Sequence, residues 1–243
     1  MADLADVMTL ARFRDRDLVV STKPDLTPVT EADRTVEQAL RDRIAQARPG
    51  HAIVGEELAD KQGQGGWRWI LDPIDGTKNY VRGIPVWATC IALQSDDEGV
   101  VGVVSAPALG RRWWAARGHG AFADGQPIRV SAVSDLADAQ LSYDSVMSFE
   151  AYGLGERFLG LARRCWRSRG LGDFWSHVLV AEGAVDVAAE PEVSIWDVAA
   201  VQVIVEEAGG RFTDLAGASR PDGGSAVSTN GLLHADVLAA LSP

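Results

Sequence analysis

Residues 71–80, with the sequence LDPIDGTKNY, constrain the fold of this chain more than any other stretch. The apolar run WRWIL that leads into them is typical of a strand, and Pro73 cannot donate a hydrogen bond to a sheet, so we expect the strand to end there. Asp72 and Asp75 then lie together on a tight turn. Two ionised acids this close repel each other and raise each other's pKa unless a cation lies between them. The stretch therefore predicts a site for Mg²⁺, a hard cation that binds carboxylates, backbone carbonyls and water.

The next two residues add an anion site to the same turn. Gly76 and Thr77 are expected to open a short helical turn, so that their N–H groups can face an anion such as phosphate. The alternative is an Asx turn in which an aspartate caps the helix. A D-x-x-D pattern alone does not separate the two interpretations, but the complete string DPIDGT is much more specific.

Further acids occupy the ends of other expected elements. Glu56 follows the apolar strand HAIVG, Asp197 lies at the start of the helix WDVAAVQVIVEEAGG, and Asp33 lies in TPVTEAD. Each has an ordinary structural alternative, because Glu56 and Glu57 can form a solvated loop pair and aspartate is a preferred helix cap. Acids placed repeatedly at element ends within one compact domain are, however, what a site with several metal ions requires.

The remaining pattern predicts a mixed α/β fold. Helices are expected at residues 2–12, after Thr30 in a capping box with Asp33, and at 156–168, 173–183, 196–210 and 234–242. Strands are expected at residues 17–23, 51–58, 67–72, 86–93, 98–107, 111–117, 120–131, 184–191, 211–217 and 225–230, with Asp124-Gly125 as a hairpin turn. Without an internal repeat or a separating linker, we expect one layered domain over 1–243, with lobes of about 1–135 and 136–243.

Composition argues against several classes of protein. The 243 residues carry a formal net charge of −11, which argues against a nucleic-acid partner because such a partner requires a basic face. Two cysteines without a CxxC pair argue against a disulfide framework or a structural zinc site. No apolar run reaches the roughly 18–20 residues of a membrane span, and the N-terminus lacks the apolar core of a signal peptide. We expect a cytoplasmic protein without a membrane partner.

The motifs GEE, DPIDGT and WD, in this order, resemble those of the inositol monophosphatase superfamily of metal-dependent phosphatases. Lys23 with TPVTEAD, RGHGAFADGQPI and IWDVAAVQVIVEEAGGRFTDLAG support the resemblance, which runs from residue 18 to the C-terminus. It implies a five-layered α-β-α-β-α sandwich that hydrolyses small phosphomonoesters with Mg²⁺, two to three ions per active site. The N-terminal helix looks shorter than is usual for this family.

The resemblance also implies which residues bind the metal ions. Glu56, Asp72 and the backbone carbonyl of Ile74 would bind the first ion, and Asp72, Asp75 and Asp197 would bind the second. Glu56 would also hold a loosely bound third ion through one oxygen and water molecules.

Two further roles follow from the same resemblance. The backbone amides of Gly76 and Thr77 would receive the phosphate. Thr77, with Asp33 behind it and Glu56 beside it, would orient the attacking water. No covalent phosphoenzyme is needed, because the metal ions lower the pKa of the water and neutralise charge on the phosphoryl oxygens.

Lys78 separates this chain from the usual inositol monophosphatase string DPIDGTTNF. The strings DPIDGTKNYVRGIPVWAT, RRWWAARG and GDFWSHVLVAEGAVDVAAEP resemble the histidinol-phosphate phosphatases of the superfamily, particularly the actinobacterial kind. This resemblance implies hydrolysis of L-histidinol phosphate to L-histidinol and phosphate, a step of histidine biosynthesis. Lys78 would bias the pocket electrostatically, or it is a solvated helix residue.

Two acids are candidates for contact with the rest of the substrate. Glu190 matches the family position that contacts the non-phosphate part, and Asp173 lies near another wall of the pocket. An ammonium and an imidazole on the substrate would suit such carboxylates. The alternative for Asp173 is a helix N-cap, and Trp175 and His177 on the same helix can be core residues.

Other functions remain open at this point. An inositol-1-monophosphatase or a broad sugar-phosphate phosphatase would use the same motifs, and a regulatory or binding protein could retain the fold. The latter would have lost a metal ligand or gained a basic patch, whereas every matched ligand position here is acidic. The family suggests a homodimer, for which the hairpins with Trp113 and Trp114 could supply an interface unless these residues enter the core.

Overall fold

The computed structural model describes residues 1–23 and 27–242 of the chain. Its helices are α1 Ala2–Arg12, α2 Glu31–Ala47, α3 Thr77–Val81, α4 Val146–Ala151, α5 Gly155–Arg164, α6 Asp173–Ala181, α7 Ile195–Glu207 and α8 His234–Leu241. Its strands are β1 Val20–Thr22, β2 Pro28–Thr30, β3 Ala52–Gly55, β4 Trp67–Asp75, β5 Ala88–Ser95, β6 Glu98–Ala106, β7 Arg111–Ala116, β8 Ala121–Ala123, β9 Gln126–Ile128, β10 Gln140–Tyr143, β11 Arg167–Gly170, β12 Val187–Glu190, β13 Arg211–Thr213 and β14 Ala226–Thr229.

Two large sheets organise these elements. The first has seven strands in the order β3-β4-β5-β6-β7-β8-β9, and only the β3–β4 pair is parallel. The second has five strands in the order β11-β10-β12-β14-β13, with β10 parallel to both β11 and β12 and the other pairs antiparallel. Strands β1 and β2 form a small antiparallel ribbon beside them.

The helices complete a five-layered sandwich. Helices α1 and α2 cover one face of the seven-stranded sheet, where Leu40 and Ile44 pack against Leu71. Helices α6 and α7 fill the space between the two sheets. Helices α5 and α8 cover the outer face of the five-stranded sheet, where Phe158 packs with Val187. The α-β-α-β-α architecture expected from the resemblance is confirmed.

Several local predictions are confirmed as well. The Thr30 side chain accepts hydrogen bonds from backbone amides in the first turn of α2, and the Asp33 carboxylate accepts one from the Thr30 amide. This is the predicted capping box. Asp124 and Gly125 both have positive φ, at 50° and 81°, as the two central residues of a type I′ hairpin turn require. Cys90 is buried within β5.

Strand β4 corrects one prediction. The strand continues past Pro73 to Asp75, and its pairing with β5 shifts in register between Asp72 and Asp75. The Thr89 hydroxyl donates to the Pro73 carbonyl at 2.8 Å. The irregularity accommodates a residue that has no N–H to donate, so the predicted strand end at Pro73 is wrong.

Other boundaries differ for reasons of tertiary pairing. The helix predicted over 156–168 ends at Arg164, and residues 167–170 form β11, which gains its hydrogen bonds from β10. The strand predicted over 17–23 is only Val20–Thr22. The sequence patterns did not predict β2, β10 or α4, each of which is only three to six residues long. Among the described residues, no helix combines the length and the apolar character that crossing a membrane requires.

Candidate active site

Three element ends meet between the two sheets and contribute acids to a cavity of about 640 Å³. Glu56 follows β3, Asp72 and Asp75 end β4, and Asp197 lies in the first turn of α7. One carboxylate oxygen each from Asp72, Asp75 and Asp197 lies within 4.8 Å of the other two. The structure therefore brings together the acids that the sequence motifs predicted as metal ligands. We call Glu56, Asp72, Asp75 and Asp197 the acid cluster.

Burial makes the charges of the acid cluster costly. Desolvation raises the pKa of Asp72, and the neighbouring charge of Glu56 raises it further. Desolvation also raises the pKa of Asp75, followed by the charge of Asp173. Burial raises the pKa of Asp197 to about 7. The cluster offers only oxygen ligands, which is the donor set that a hard divalent cation such as Mg²⁺ prefers.

Lys23 supplies positive charge at one edge of the acid cluster. Its Nζ lies 2.6 Å from Glu56 Oε1 and 2.5 Å from Glu57 Oε1. Burial alone would lower the pKa of Lys23, but the hydrogen bonds to Glu56 and Glu57 outweigh burial and raise it. The sequence motif contains Lys23 but does not reveal its partners, and the structure shows its contact with Glu56, a predicted metal ligand.

The turn after β4 contains the predicted phosphate and water-orienting residues. Gly76 has a φ of 84° and is followed by Thr77 at the start of α3. The Thr77 hydroxyl donates to the Ile74 carbonyl at 2.9 Å and lies 3.4 Å from Asp33 Oδ1. Asp33 is held from behind by Thr30, whose amide and hydroxyl lie 2.8 and 2.5 Å from Asp33 Oδ2. The predicted group Asp33–Thr77–Ile74 is therefore continuous in space.

Two hydrogen bonds involving Asp173 and Asp75 join distant parts of the chain at the cavity. The Asn79 side chain donates to Asp173 Oδ2 at 3.0 Å, and the Phe174 amide donates to Asp75 Oδ2 at 2.6 Å. Asp173 is the first residue of α6, whose N-cap is Gly172, so the helix-cap interpretation of Asp173 is wrong. Burial raises the pKa of Asp173 to about 7. The role of Asn79 could not be read from the sequence, since its partner is 94 positions away.

Asp197 is not the N-cap of α7, which was its structural alternative. The N-cap of α7 is Ser194, and Asp197 Oδ2 accepts the Ser194 amide at 2.7 Å in a capping box. One carboxylate oxygen thus organises the start of the helix. The side chain nevertheless reaches the other acids of the cluster, so the capping and metal-binding interpretations of Asp197 are compatible.

Glu190 and His177 form the wall of the cavity opposite β4. Glu190 ends β12 and His177 lies in the middle of α6, and both line the cavity while being almost fully buried. Trp175 packs against the core between the sheets. The spacing of four residues from Asp173 to His177 places both on one face of α6, a signal in the sequence that could have identified His177 as a cavity residue.

A second, buried network supports the loop that carries Glu56. Glu37 accepts hydrogen bonds from Arg41 Nε at 2.7 Å and from the Glu57 amide at 2.8 Å. The guanidinium of Arg41 also donates to the carbonyls of Leu58 and Ala59, each at 2.9 Å. These residues fix the path of the chain just after Glu56. Sequence analysis missed this network, because a Glu–Arg pair on a helix is usually solvent-exposed.

Known proteins resemble this chain over nearly all of its length. The sequence profile of the Inositol monophosphatase family matches residues 3–242. A histidinol-phosphatase of Mycobacterium tuberculosis is 57% identical over 247 residues, covering 100% of this chain and 95% of that protein. A histidinol-phosphatase of Streptomyces coelicolor is 51% identical and covers 100% and 94%. The crystal structure of extragenic suppressor protein SuhB from Bartonella henselae matches with a TM-score of 0.90 at 30% identity, covering 98% and 94%.

Proposed function

Because the chain belongs to the inositol monophosphatase family, we propose that it hydrolyses L-histidinol phosphate to L-histidinol and phosphate, with Mg²⁺ as the cofactor. The observation that carries the reaction type is the acid cluster, in which the buried carboxylates of Asp72 and Asp75 lie close to that of Asp197. The identity to histidinol-phosphatases over the full length supports the substrate. The reaction would be a step of histidine biosynthesis.

The residues of the acid cluster fit the proposed cofactor. Asp72, Asp75 and Asp197 would hold one divalent cation, and Glu56, Asp72 and the Ile74 carbonyl would hold another, with a third bound loosely by Glu56. Bound cations would lower the pKa of water and neutralise charge on the phosphoryl oxygens. The raised pKa values of the buried acids support this fit, because a cation would favour the ionised forms that burial disfavours.

The chain's own residues would orient the attacking water and the phosphate. The Thr77 hydroxyl has one proton and two nearby acceptors, the Ile74 carbonyl and Asp33. When the carbonyl serves as a cation ligand, the hydroxyl proton would turn to Asp33, which leaves the Thr77 oxygen free to accept from water. Glu56 would hold the water on its other side, and the Gly76 and Thr77 amides would receive the phosphate.

The distribution of charge supports a cationic substrate. Glu190 and Asp173 line the cavity beyond the acid cluster, and Lys78 lies at its edge. The charge of Lys78 lowers the pKa of Asp173 and therefore favours its ionised form, although burial and Glu190 outweigh that effect. We propose that Glu190 and Asp173 contact the ammonium and imidazole end of the substrate, because charge-assisted hydrogen bonds favour such pairs.

A phosphate-release assay tests this proposal. Purified protein in Mg²⁺ would be given histidinol phosphate, inositol 1-phosphate and fructose 1,6-bisphosphate in parallel, with excess chelator as the control. We expect the highest kcat/KM for histidinol phosphate and no turnover with chelator. Equal or reversed efficiencies would contradict the substrate and favour a broad sugar-phosphate or inositol monophosphatase. Turnover that persists in chelator would contradict the metal-dependent reaction.

The organisation of the protein is also part of the proposal. We propose a single domain over residues 1–243, with lobes of about 1–135 and 136–243 that meet at the cavity. The hydrogen bonds from Asn79 to Asp173 and from Phe174 to Asp75 support the contact between the lobes at the cavity, because each joins one lobe to the other.

We also propose a cytoplasmic location without nucleic-acid or membrane partners, which the two free cysteines support.

We further propose that the protein is a homodimer. Trp113 is buried in the core, and Trp114 is partly covered by stacking on Phe122 with ring centroids 5.9 Å apart. The hairpins therefore present less free apolar surface than their sequence suggested. Trp166 and Met147 of the second lobe are 67% and 71% exposed, and these offer apolar surface for a partner. Light scattering coupled to gel filtration measures the mass, and a monomer would contradict this part of the proposal.

A further inference from the structure

Two buried polar atoms face each other across the wall of the cavity. His177 Nε2 and Glu190 Oε1 lie 3.6 Å apart, and neither has a hydrogen-bond partner among the described residues. An unsatisfied buried polar atom costs free energy, so such a pair needs an explanation. Both residues line the cavity that contains the acid cluster.

The other side of the His177 ring is fixed. His177 Nδ1 lies 2.7 Å from the hydroxyl of Ser228, a fully buried residue of β14. If the Ser228 hydroxyl donates to Nδ1, then Nε2 carries the ring proton and points at Glu190. The distance of 3.6 Å is longer than a hydrogen bond, and a small movement of the Glu190 side chain closes it. The donors Ser228 and His177 then form one chain directed at a single carboxylate oxygen.

His234 is a second buried histidine, and its contacts are those of a purely structural residue. His234 has both ring nitrogens satisfied, with Thr213 Oγ1 at 2.9 Å from Nε2 and Thr229 Oγ1 at 3.0 Å from Nδ1. Both histidines are almost fully buried, yet only His177 directs a nitrogen at a carboxylate in the cavity. This difference separates His177 from an ordinary core histidine.

We propose that His177 is a positioning residue that holds one oxygen of Glu190 so that the other faces the cationic part of the substrate. The ligand class is a phosphomonoester whose alcohol carries a protonated amine. A carboxylate fixed in one orientation loses less conformational entropy on binding than a free one, which increases affinity for the amine. This inference rests on the proposed function and assigns it a residue that acts through Glu190.

Two substitutions separate the two sides of the ring. His177→Asn retains a polar atom near the Nδ1 position, toward Ser228, but has no group that reaches Glu190. His177→Gln retains a donor near the Nε2 position. We expect His177→Asn to lower the ratio of kcat/KM for histidinol phosphate to that for inositol 1-phosphate by roughly tenfold to a hundredfold, mainly through a higher KM. His177→Gln should recover most of the ratio.

A double substitution tests whether His177 acts through Glu190. In a Glu190→Gln background, His177→Asn should change the substrate ratio by less than about threefold, because the group that it positions has already lost its charge. His234→Asn is the matched control, since it alters a buried histidine with two hydrogen bonds. We expect His234→Asn to lower Tm and to leave the substrate ratio at the wild-type value.

The outcomes distinguish this inference from the proposed function. A wild-type protein without preference for histidinol phosphate would contradict both. A preference that survives His177→Asn, or an equal loss for both substrates, would overturn the positioning role alone. Full additivity of His177→Asn and Glu190→Gln would also overturn it, since His177 would then act independently of Glu190.

Discussion

Glu37 of α2 and Asp72 of β4 are both buried acids, but they are surrounded by opposite kinds of groups. Glu37 accepts hydrogen bonds from Arg41 Nε at 2.7 Å and from the Glu57 amide at 2.8 Å, so the protein itself compensates its charge. Asp72 accepts the Ile74 amide at 2.9 Å, and its charged neighbours are the other acids of the cluster. The fold itself compensates the charge of Glu37, whereas Asp72 lies among like charges, which a cation would compensate in the proposed function.

The different surroundings of Glu37 and Asp72 predict that Glu37 matters mainly for stability and Asp72 mainly for the reaction. Removing one partner of a buried, compensated pair leaves an unpaired charge and destabilises the fold. Removing one acid from a group of like charges relieves repulsion, so it should affect the reaction more than the fold. Gly55 belongs to the first site, because a β-carbon there would lie 2.2 Å from Glu37 Oε1. The glycine of the GEE motif therefore makes room for the carboxylate that fixes the loop of Glu56.

The largest expected effect is on activity, from Asp75→Asn. The amide keeps an oxygen that can accept the Phe174 amide but loses the charge that would hold a cation, so kcat should fall on the order of a thousandfold. Thermal unfolding without divalent cations should show an unchanged or higher Tm, because repulsion within the acid cluster is relieved. Asp60→Asn, at an exposed acid, is the control for the exchange itself. Near wild-type turnover would show that Asp75 is not a metal ligand.

The opposite pattern is expected for Glu37→Gln. Loss of the charge next to Arg41 should lower the free energy of unfolding by about 3 kcal/mol, measured by urea denaturation. Asp42→Asn on the exposed face of α2 should change it by less than about 0.5 kcal/mol. A loss below about 1 kcal/mol for Glu37→Gln would mean that solvent compensates Arg41, and the contrast between the two sites would weaken.

The increase in Tm on addition of Mg²⁺ should depend on Asp72 and not on Glu37. At a hundredfold excess over Kd, binding to the folded state contributes about 2.7 kcal/mol, which for a chain of this length raises Tm by roughly 5–10 °C. Glu37→Gln should start from a lower Tm and gain a similar increment, whereas Asp72→Asn should lose the increment. Potassium at equal ionic strength serves as the salt control. An increment that survives in Asp72→Asn would place the cation elsewhere.

The acid cluster could be predicted from sequence because its members are fixed by local structure. Asp72 and Asp75 belong to one strand end, and Asp197 follows from a capping pattern at the start of a helix. The mixed α/β class was predictable for a similar reason, since the hairpin with Asp124-Gly125 and the apolar helices leave local signals. The five-layered architecture followed from the family resemblance. That these separate ends meet in one cavity was inferred from the family resemblance.

The parts that escaped prediction depend on distant partners. Strand β11 has a polar sequence and becomes a strand because β10 offers an edge for pairing. Glu37 looks like a solvated helix residue until the loop after Glu56 folds over it. His177 has the periodicity of a core residue, and only the placement of Glu190 shows that one ring nitrogen faces the cavity. In each case the determining contact joins residues that no local pattern connects.

The smallest expected effect is a pH dependence of stability that arises in the acidic cavity and at Glu57, whose pKa burial raises to about 7. Burial raises the pKa of Asp173 and Asp197 from 3.8 to about 7, so in this range the folded state binds more protons than the unfolded state. Stability without divalent cations should therefore fall as pH rises through about 7, by about 1 kcal/mol between pH 6.5 and 8. Burial lowers the pKa of His234 to about 4, which gives the opposite slope only below about pH 6.5. Unfolding curves in chelator and in saturating Mg²⁺ check this, since the cation should abolish the part of the decline that arises in the cavity. A decline of the same size in both conditions would show that it arises from groups outside the cavity.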